Sequence, residues 1–514
     1  MAVSRSVADA VVIRESGDSA RRQPISSTTW SATIVLALLA VWLIATMGLR
    51  PLLVPDEGRY ASVALEMLRG NTLVPTLNGL PFFHKPPLFY WIDMAAMQLF
   101  GVGPLAARAG SLLGAWIMGA TMFFGLRRWH GARIAGIALG VMATSPFFFV
   151  AAQYANHDML VAGLITAAIL ALARAVDDPP QVHLRWLATG AVACASAALA
   201  KGLIGFVLPA LVIGPWLLAQ GRWRQLVGLL HPVAWCAFLL VAAPWFVAMQ
   251  LRFPEFFDYF FMEQHFRRFV QSSFNNVQPF WFFILVLPAL MLPWALWIPQ
   301  ALRRAWSARD ARIGLYVWWI VAVTGFFSLP SSKLVGYVLP AVAPLCALLA
   351  MALAHGGQRR WQWATAGSAM LCLALVGAIA WQSPKSSRGA ALALAAAIAP
   401  GDKVVMVEEY LYDVPFYAQL VDPVIFVSDW NDPALAHQDS WRNELLDAAR
   451  FAPERGRQVL QPIELLGQLA CGTGTTWLPV SVGRVGPVAA LPGAVRVYGD
   501  KNSELWRVAA RSCS

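Results

Sequence analysis

Long apolar stretches alternate with short polar segments along most of the chain, from about residue 29 to residue 382. A helix needs about 20 apolar residues to cross a bilayer, so this spacing predicts about eleven full membrane spans. Two shorter apolar helices, one of them near residues 88–100, could raise the count to about 13. The pattern therefore predicts a polytopic α-helical membrane protein.

The composition agrees with a membrane protein. Of 514 residues, 58% are hydrophobic and only 13% are charged, whereas soluble domains are about half apolar and about a quarter charged. The net charge of +11 could suggest a nucleic-acid partner, but the basic residues are scattered between the apolar spans. Membrane topology and anionic lipid headgroups explain this charge better, so we expect no nucleic-acid binding.

The distribution of arginines predicts the sidedness. Residues 1–28 form a polar tail that carries four arginines ahead of the first span, and the positive-inside rule places this tail in the cytoplasm. The membrane domain then covers residues 29–382. Its two long loops, 50–104 and 251–279, are expected on the periplasmic face of a bacterial inner membrane.

The character of the chain changes in residues 383–514. Strand-like runs such as VVMV and VIFV separate helical segments there, which predicts a small soluble α/β domain. An odd number of spans would place this domain in the periplasm. Cys471 and Cys513 could form a disulfide if the region lies outside the cytoplasm, and their spacing leaves the pairing open.

One loop, 54–91, concentrates charge directly after the first span. Its charged residues and histidine are Asp56, Glu57, Arg59, Glu66, Arg69, His84 and Lys85. Charge at a membrane boundary is costly to keep ordered and is often functional. We therefore predict that this loop contains the reaction centre.

Two carboxylates are the candidate catalytic acids. Asp56 follows the first span, and Asp158 lies at the same end of a later span. Either one alone could simply cap a helix, because carboxylates are favourable in a helix's first turn. Their arrival on one face of the membrane favours a shared catalytic site.

Basic residues are expected on that face as well, among them Lys85, Lys201, Arg268 and Lys333. Positive charge on the outer side opposes the usual topology bias, so it needs a local reason. Structural ion pairs with the carboxylates are one reason, and binding of a phosphate-bearing substrate is the favoured one. His84 and His265 are candidate metal ligands, although two distant histidines are a weak signal.

Six motifs in a fixed order suggest a family. They are PDEGRYASVALEML, NGLPFFHKPPLFYW, HDM, AKG, EQHFRRF and SSKLVGYVLP. Together they resemble the GT-C membrane glycosyltransferases, and most of all the bacterial undecaprenyl phosphate-aminoarabinose–lipid A transferase family, relatives of the protein O-mannosyltransferases. The resemblance covers about residues 30 to 350.

The resemblance implies an inverting glycosyltransferase that uses a polyprenyl-phosphate-linked sugar as donor and lipid A, or another periplasmic-side molecule, as acceptor. Asp56 matches the family's first-loop catalytic aspartate, and Asp158 matches its second-loop acid. The residues expected to meet substrate phosphates or lipid are Arg59, Lys85, Lys201, Arg268, Lys333 and Tyr337.

One position departs from the family pattern. The family usually has FEKPP where this chain has FHKPP, so His84 replaces a glutamate. That glutamate is implied to share a divalent metal, such as zinc, with a later histidine that His265 matches here. Since histidine is also a zinc ligand, the metal could persist with an altered ligand set, or it could be absent.

Two rival functions remain open at this stage. The same donor could serve another acceptor, such as a protein, O-antigen or another glycolipid. A transporter or flippase for lipid-linked sugars would also place charge in a membrane, but it would not require two outer carboxylates and is typically built from repeats with broken helices.

Overall fold

A computed structural model describes residues 31–267, 276–355, 358–382, 385–436 and 440–510 of the chain. Helices occupy nearly all of the described part up to Gln382, and a mixed α/β unit follows. The predicted fold class, a helical membrane domain with a small C-terminal α/β domain, is confirmed. The main helices of the membrane domain are Ala32–Ile44, Asp56–Arg69, Leu88–Phe100, Ala109–Ala143, Pro146–Ala152, His157–Ala175, Leu184–Lys201, Ile204–Ala219, Trp223–Gly228, Pro232–Arg252, Asp258–Arg267, Phe282–Leu290, Ile298–Ser307, Ala311–Ser328, Val342–Leu353 and Gln358–Gln382.

Fewer helices than the predicted eleven are long and apolar enough to cross a membrane by themselves. Within the described ranges six helices qualify, or seven if a pair bent by 110° at residues 290–294 forms one broken span. Several predicted spans are shorter helices, such as the 13-residue Ala32–Ile44. Two others are joined in Ala109–Ala143, where Gly131 adopts a positive φ of 85° and kinks the helix.

The first charged loop forms a helix, Asp56–Arg69, which we call the first-loop helix. Asp56 and Glu57 occupy its first turn, where carboxylates interact favourably with the helix dipole. The apolar face of this helix is buried: Tyr60, Val63, Ala64 and Met67. These residues belong to the main hydrophobic core, so the position of the helix is fixed by packing as well as by charge.

A buried ion cluster anchors the start of the first-loop helix. The side chains of Arg50, Glu57 and Arg108 are at most 3% exposed. The Glu57 carboxylate pairs with both guanidinium groups and also accepts the backbone N–H groups of Leu53 and Ala155, each at 2.9 Å. Burial raises the pKa of Glu57, but Arg108 and Arg50 outweigh it and hold the pKa below its ordinary value.

The C-terminal sheet has six strands. From one edge to the other they are Leu460–Pro462, Ile425–Ser428, Lys403–Val407, Thr476–Ser481, Ser503–Val508 and Ala494–Gly499. The first four are parallel, with Val405 opposite Ile425 and Lys403 opposite Thr476. The last two are antiparallel to their neighbours.

Helices Arg388–Ala397, Val414–Tyr417, Trp441–Arg450, Pro453–Val459, Leu466–Leu469 and Gly486–Ala489 complete this domain. Cys471 is disulfide-bonded, and Cys513 lies outside the described residues.

The C-terminal domain packs directly on the first-loop helix. A Cβ atom at Gly58 would lie 2.8 Å from the backbone nitrogen of Asp413, so only glycine allows this approach. Ser62 donates a hydrogen bond to the carbonyl of Tyr412 at 2.9 Å, and the N–H of Leu52 donates to the hydroxyl of Tyr417 at 2.7 Å. The first-loop helix and the C-terminal domain are therefore packed against each other through direct backbone contacts.

Asp413 is a buried acid at this junction. One carboxylate oxygen accepts the Ser387 N–H at 2.7 Å and the Ser386 hydroxyl at 3.0 Å. The other oxygen, Oδ1, has no hydrogen-bond partner among the described residues. Burial raises the pKa of Asp413 to about 6, although the Ser387 and Ser386 hydrogen bonds act in the opposite direction.

We expect Glu57→Gln to destabilise the protein, because it leaves two buried guanidinium groups without their carboxylate. The loss should be about 3–5 kcal/mol, as for other buried ion pairs with one partner removed. The measurement is unfolding of the detergent-solubilised protein by heat or denaturant. Glu255→Gln, at an exposed position, is the matched control and should leave the midpoint unchanged. An unshifted midpoint for Glu57→Gln would contradict the structural role.

We expect Asp413→Asn to stabilise the protein above pH 7. The folded protein holds the Asp413 proton up to about pH 6, whereas the unfolded chain releases it near its ordinary pKa of about 4. Wild-type stability therefore falls as pH rises through this window, by up to about 3 kcal/mol. The asparagine variant cannot ionise, so its advantage should vanish near pH 4. A variant less stable than wild type at pH 7.5 would contradict this.

Candidate active site

A cavity of about 1230 Å³ opens beside the first-loop helix. Its wall includes the start of His157–Ala175, the end of Leu184–Lys201 and the segment 330–337. Seven of the ten candidate residues line it: Asp56, Arg59, His84, Lys85, Asp158, Lys201 and Tyr337. The structure thus brings together charged residues from positions far apart in the sequence.

Asp56 is the most accessible carboxylate of this cavity. Its side chain is 31% exposed, compared with 10% for that of Asp158. Arg59, one turn later in the same helix, pairs with Oδ1 at 2.5 Å, and the Tyr154 hydroxyl donates to Oδ2 at 3.4 Å. These contacts orient the carboxylate while part of it stays open to the cavity, as a general base requires.

Asp158 is more tightly enclosed. Its carboxylate forms an ion pair with Lys201, whose ammonium group also lies 4.7 Å from the centre of the Tyr337 ring. A Cβ atom at Gly336 would lie 2.1 Å from the Asp158 carboxylate, so a glycine is needed there. Asn156 caps the helix by accepting the Asp158 N–H at 3.0 Å. Because Asp158 is enclosed and paired with Lys201, its role is to hold the Lys201 ammonium group in position.

Lys85 contributes the second ammonium group. It is partly buried, and its Nζ donates to the His84 carbonyl at 3.0 Å. Prolines at 81, 86 and 87 flank this segment, which limits its backbone freedom. Lys85 and Lys201 therefore present two cations to one cavity that also holds the open carboxylate of Asp56.

The C-terminal domain supplies a residue that the sequence analysis missed. Glu444, on helix Trp441–Arg450, lines the cavity and forms an ion pair with Arg59. The Tyr412 hydroxyl donates to Glu444 at 3.0 Å. Arg59 thus bridges Asp56 and Glu444, so its charge is already balanced by protein carboxylates. The sequence predicted helical segments in this domain but not which of their faces meets the membrane domain.

His84 lies between two acids of the same helix. Its ring stacks on Phe82 with centroids 4.6 Å apart, and its nitrogens are 3.9 Å from Glu444 and 3.9 Å from Asp447. The Tyr259 hydroxyl donates to Asp447 at 3.4 Å. Burial raises the pKa of Asp447 to about 6, against the lowering effect of Arg450.

The donors around His84 do not form a recognisable metal site. Among the described residues, no three His, Cys, Asp or Glu side chains converge in a way that could hold a metal ion. The side chain of His265 lies outside the described part of the chain. The zinc site remains a prediction.

Lys333 is a further candidate, and it does not line this cavity. Lys333 is 4% exposed, and its ammonium group donates to the carbonyls of Gln278, at 2.9 Å, and Pro330. Its neighbours Ser332 and Leu334 line the cavity, but Lys333 does not. This placement does not support the predicted phosphate contact, because the ammonium group stabilises backbone carbonyls instead. Arg268 lies outside the described residues.

Sequence comparison supports the resemblance. A family profile described as dolichyl-phosphate-mannose-protein mannosyltransferase matches residues 84–248. An undecaprenyl phosphate-alpha-4-amino-4-deoxy-L-arabinose arabinosyl transferase of Erwinia tasmaniensis is 35% identical over 317 residues, which are 60% of this chain and 57% of the relative. A second such transferase, from Pseudomonas fluorescens, is 32% identical over 64% of this chain and 60% of its own length. The matched segment thus spans less than two thirds of these relatives.

Structural comparison extends over most of the chain. The crystal structure of ArnT from Cupriavidus metallidurans bound to undecaprenyl phosphate superposes with a TM-score of 0.81, covering 92% of this chain and 97% of that one at 23% identity. The archaeal oligosaccharyltransferase AglB from Archaeoglobus fulgidus is more distant, with a TM-score of 0.51, 13% identity, and coverage of 88% of this chain and 69% of that one. The resemblance to the bacterial aminoarabinose transferases is therefore confirmed, and the chain has the GT-C fold of ArnT.

Proposed function

We propose that this protein is an inverting glycosyltransferase that moves a sugar from a polyprenyl-phosphate donor to an acceptor, specifically an aminoarabinose-type sugar to a phosphate of lipid A. The observation that carries the proposal is one cavity whose lining contains the open carboxylate of Asp56 together with Lys85 and Lys201. The names of the relatives support the donor and sugar, and the undecaprenyl phosphate bound to the Cupriavidus protein supports a lipid-phosphate ligand.

The reaction forms one bond and breaks one at the anomeric carbon of the sugar. The acceptor oxygen attacks from one side, and the polyprenyl phosphate leaves from the other with the bonding electron pair. If the acceptor is a hydroxyl group, Asp56 takes its proton as general base. If the acceptor is a phosphate, it is already anionic, and Asp56 orients it and stabilises the positive charge that develops on the sugar ring.

The two lysines stabilise the departing phosphate. Lys201 is paired with Asp158, so part of its charge is neutralised within the protein. Lys85 lines the same cavity, and its ammonium group donates to the His84 carbonyl at 3.0 Å, which holds the charge at the cavity wall. Tyr337 and the phenylalanines at 326 and 327 give the cavity an apolar side suited to the polyprenyl chain.

We infer that this cavity opens on the periplasmic side of the membrane. Helix His157–Ala175 begins at the cavity and, at 19 residues, spans about 28 Å, close to the thickness of a bilayer core. At its far end Asp177 pairs with Arg174 and Arg312. Arginines favour the cytoplasmic side, so the cavity end is the outer one.

We expect Asp56→Asn to lower the rate of sugar transfer by at least about 100-fold, because the amide cannot accept a proton or balance developing positive charge. The measurement uses purified protein, an undecaprenyl-phosphate-linked sugar and lipid A, with mass spectrometry of the product. Asp258→Asn, at an exposed position of the second loop, is the matched control and should keep the wild-type rate. Wild-type transfer by Asp56→Asn would contradict the proposed mechanism.

We expect Lys85→Met to lower kcat by about 100-fold, since removal of one well-placed electrostatic donor typically has this effect. The same transfer assay measures it. Lys403→Met removes an exposed lysine on the C-terminal sheet and should change kcat by less than about twofold. Equal kcat values for the two variants would show that Lys85 does not act on the leaving phosphate.

A further inference from the structure

The C-terminal sheet has a place where its strand order reverses. The chain runs from the central strand Lys403–Val407 to Ile425–Ser428 and then to Leu460–Pro462 on one side. It then crosses to Thr476–Ser481 on the other side of the central strand. In open parallel α/β sheets, ligands bind in the crevice beyond the carboxyl ends of the strands at such a reversal.

A second cavity, of about 990 Å³, lies at this crevice. Glu409 follows the central strand, and Ser481 ends the strand beside it. The Ser481 hydroxyl donates to the Glu409 carboxylate at 2.6 Å, which ties the two strand ends together. Glu408 adopts a positive φ of 55°, a conformation that non-glycine residues rarely adopt and that is often found at functional sites.

The lining residues define the chemistry of a ligand. Tyr412 and Trp441 offer aromatic surface, and Asn502 and Ser481 offer polar groups, a combination that suits a sugar. Lys385 and Lys501 add two ammonium groups. Lys385 is exposed and makes no hydrogen bond or ion pair with the other described residues, whereas Lys501 donates to the carbonyl of Gln382. Lysines at this position would bind phosphate or carboxylate groups.

Only one layer of protein separates this cavity from the candidate active site. Val54 and Pro55 belong to the wall of the second cavity, and Asp56 belongs to the wall of the first. Tyr412 lines the second cavity, and its hydroxyl holds Glu444, which lines the first. Neighbouring residues therefore line the two cavities, along the segment 54–56 and through the Tyr412–Glu444 hydrogen bond.

We propose that the cavity lined by Lys385, Trp441 and Lys501 binds an anionic sugar, and that this sugar is part of the acceptor glycolipid. The second half of this proposal rests on the proposed glycosyltransferase function. The first half does not, because it depends only on the strand reversal, the cavity and its lining. A free sugar phosphate has the same chemistry as the acceptor headgroup, so the test has to separate the two.

Binding is tested first on the full-length protein in detergent, with glucose 6-phosphate as the probe and glucose as its neutral match. We expect the phosphate to bind more tightly than glucose, as measured by calorimetry. The double variant Lys385→Met/Lys501→Met should weaken phosphate binding at least about tenfold, whereas Lys403→Met should not. Equal affinity of the double variant and the wild type overturns the site.

Transfer kinetics then identify the source of the sugar. In the assay with lipid A, the double variant should raise the acceptor KM about tenfold, with kcat and the donor KM within about twofold of wild type. An unchanged acceptor KM together with weakened glucose 6-phosphate binding supports the anionic-sugar site but overturns the acceptor as its occupant. If the wild-type protein transfers no sugar at all, the proposed function fails, while the binding result still decides the site.

Discussion

The structure depends on one buried carboxylate, that of Glu57. It joins two arginines and the backbones of two loops, at Leu53 and at Ala155. A buried pair of charges is stable only when its hydrogen-bonding groups are satisfied, and here the carboxylate accepts from both guanidinium groups and from two backbone N–H groups. Asp56 precedes Glu57 directly in the sequence, and Asp158 lies three positions after Ala155, whose N–H group Glu57 accepts. The ion cluster therefore fixes the backbone beside both acids.

Ion pairs between protein side chains are also found in the wall of the cavity. Arg59 is held by Asp56 and by Glu444, and Lys201 is held by Asp158. In each case a cation is fixed in place by a carboxylate before any substrate arrives, which avoids reorganisation during the reaction. The C-terminal domain takes part in this arrangement through Glu444, so it is a component of the candidate site and not only a cover over it.

Much of this site could be predicted from the sequence because its charged residues occupy the ends of long apolar runs. Asp56, Lys85, Asp158 and Lys201 are of this kind, and the structure places all four in one cavity. The separate roles of Asp56 and Glu57 could not be predicted, since adjacent helical residues point about 100° apart and only the packing decides which one is buried. The positions of the Lys333 and Glu444 side chains could not be predicted, because they depend on tertiary contacts that no local sequence pattern reveals. The span count was less accurate for a related reason, because a kink or a proline divides an apolar run without changing its composition.

The glycine at position 58 has a consequence for how the cavity can change shape. Because the backbone of the C-terminal domain lies against it, the first-loop helix cannot roll or slide without colliding with residues 412 and 413. One side of the cavity is thus effectively immovable. Widening to admit a long apolar ligand has to come from the facing side, where Phe326, Leu334 and Tyr337 are only partly buried or exposed. An apolar ligand would accordingly enter sideways from the bilayer, along the face formed by these apolar side chains.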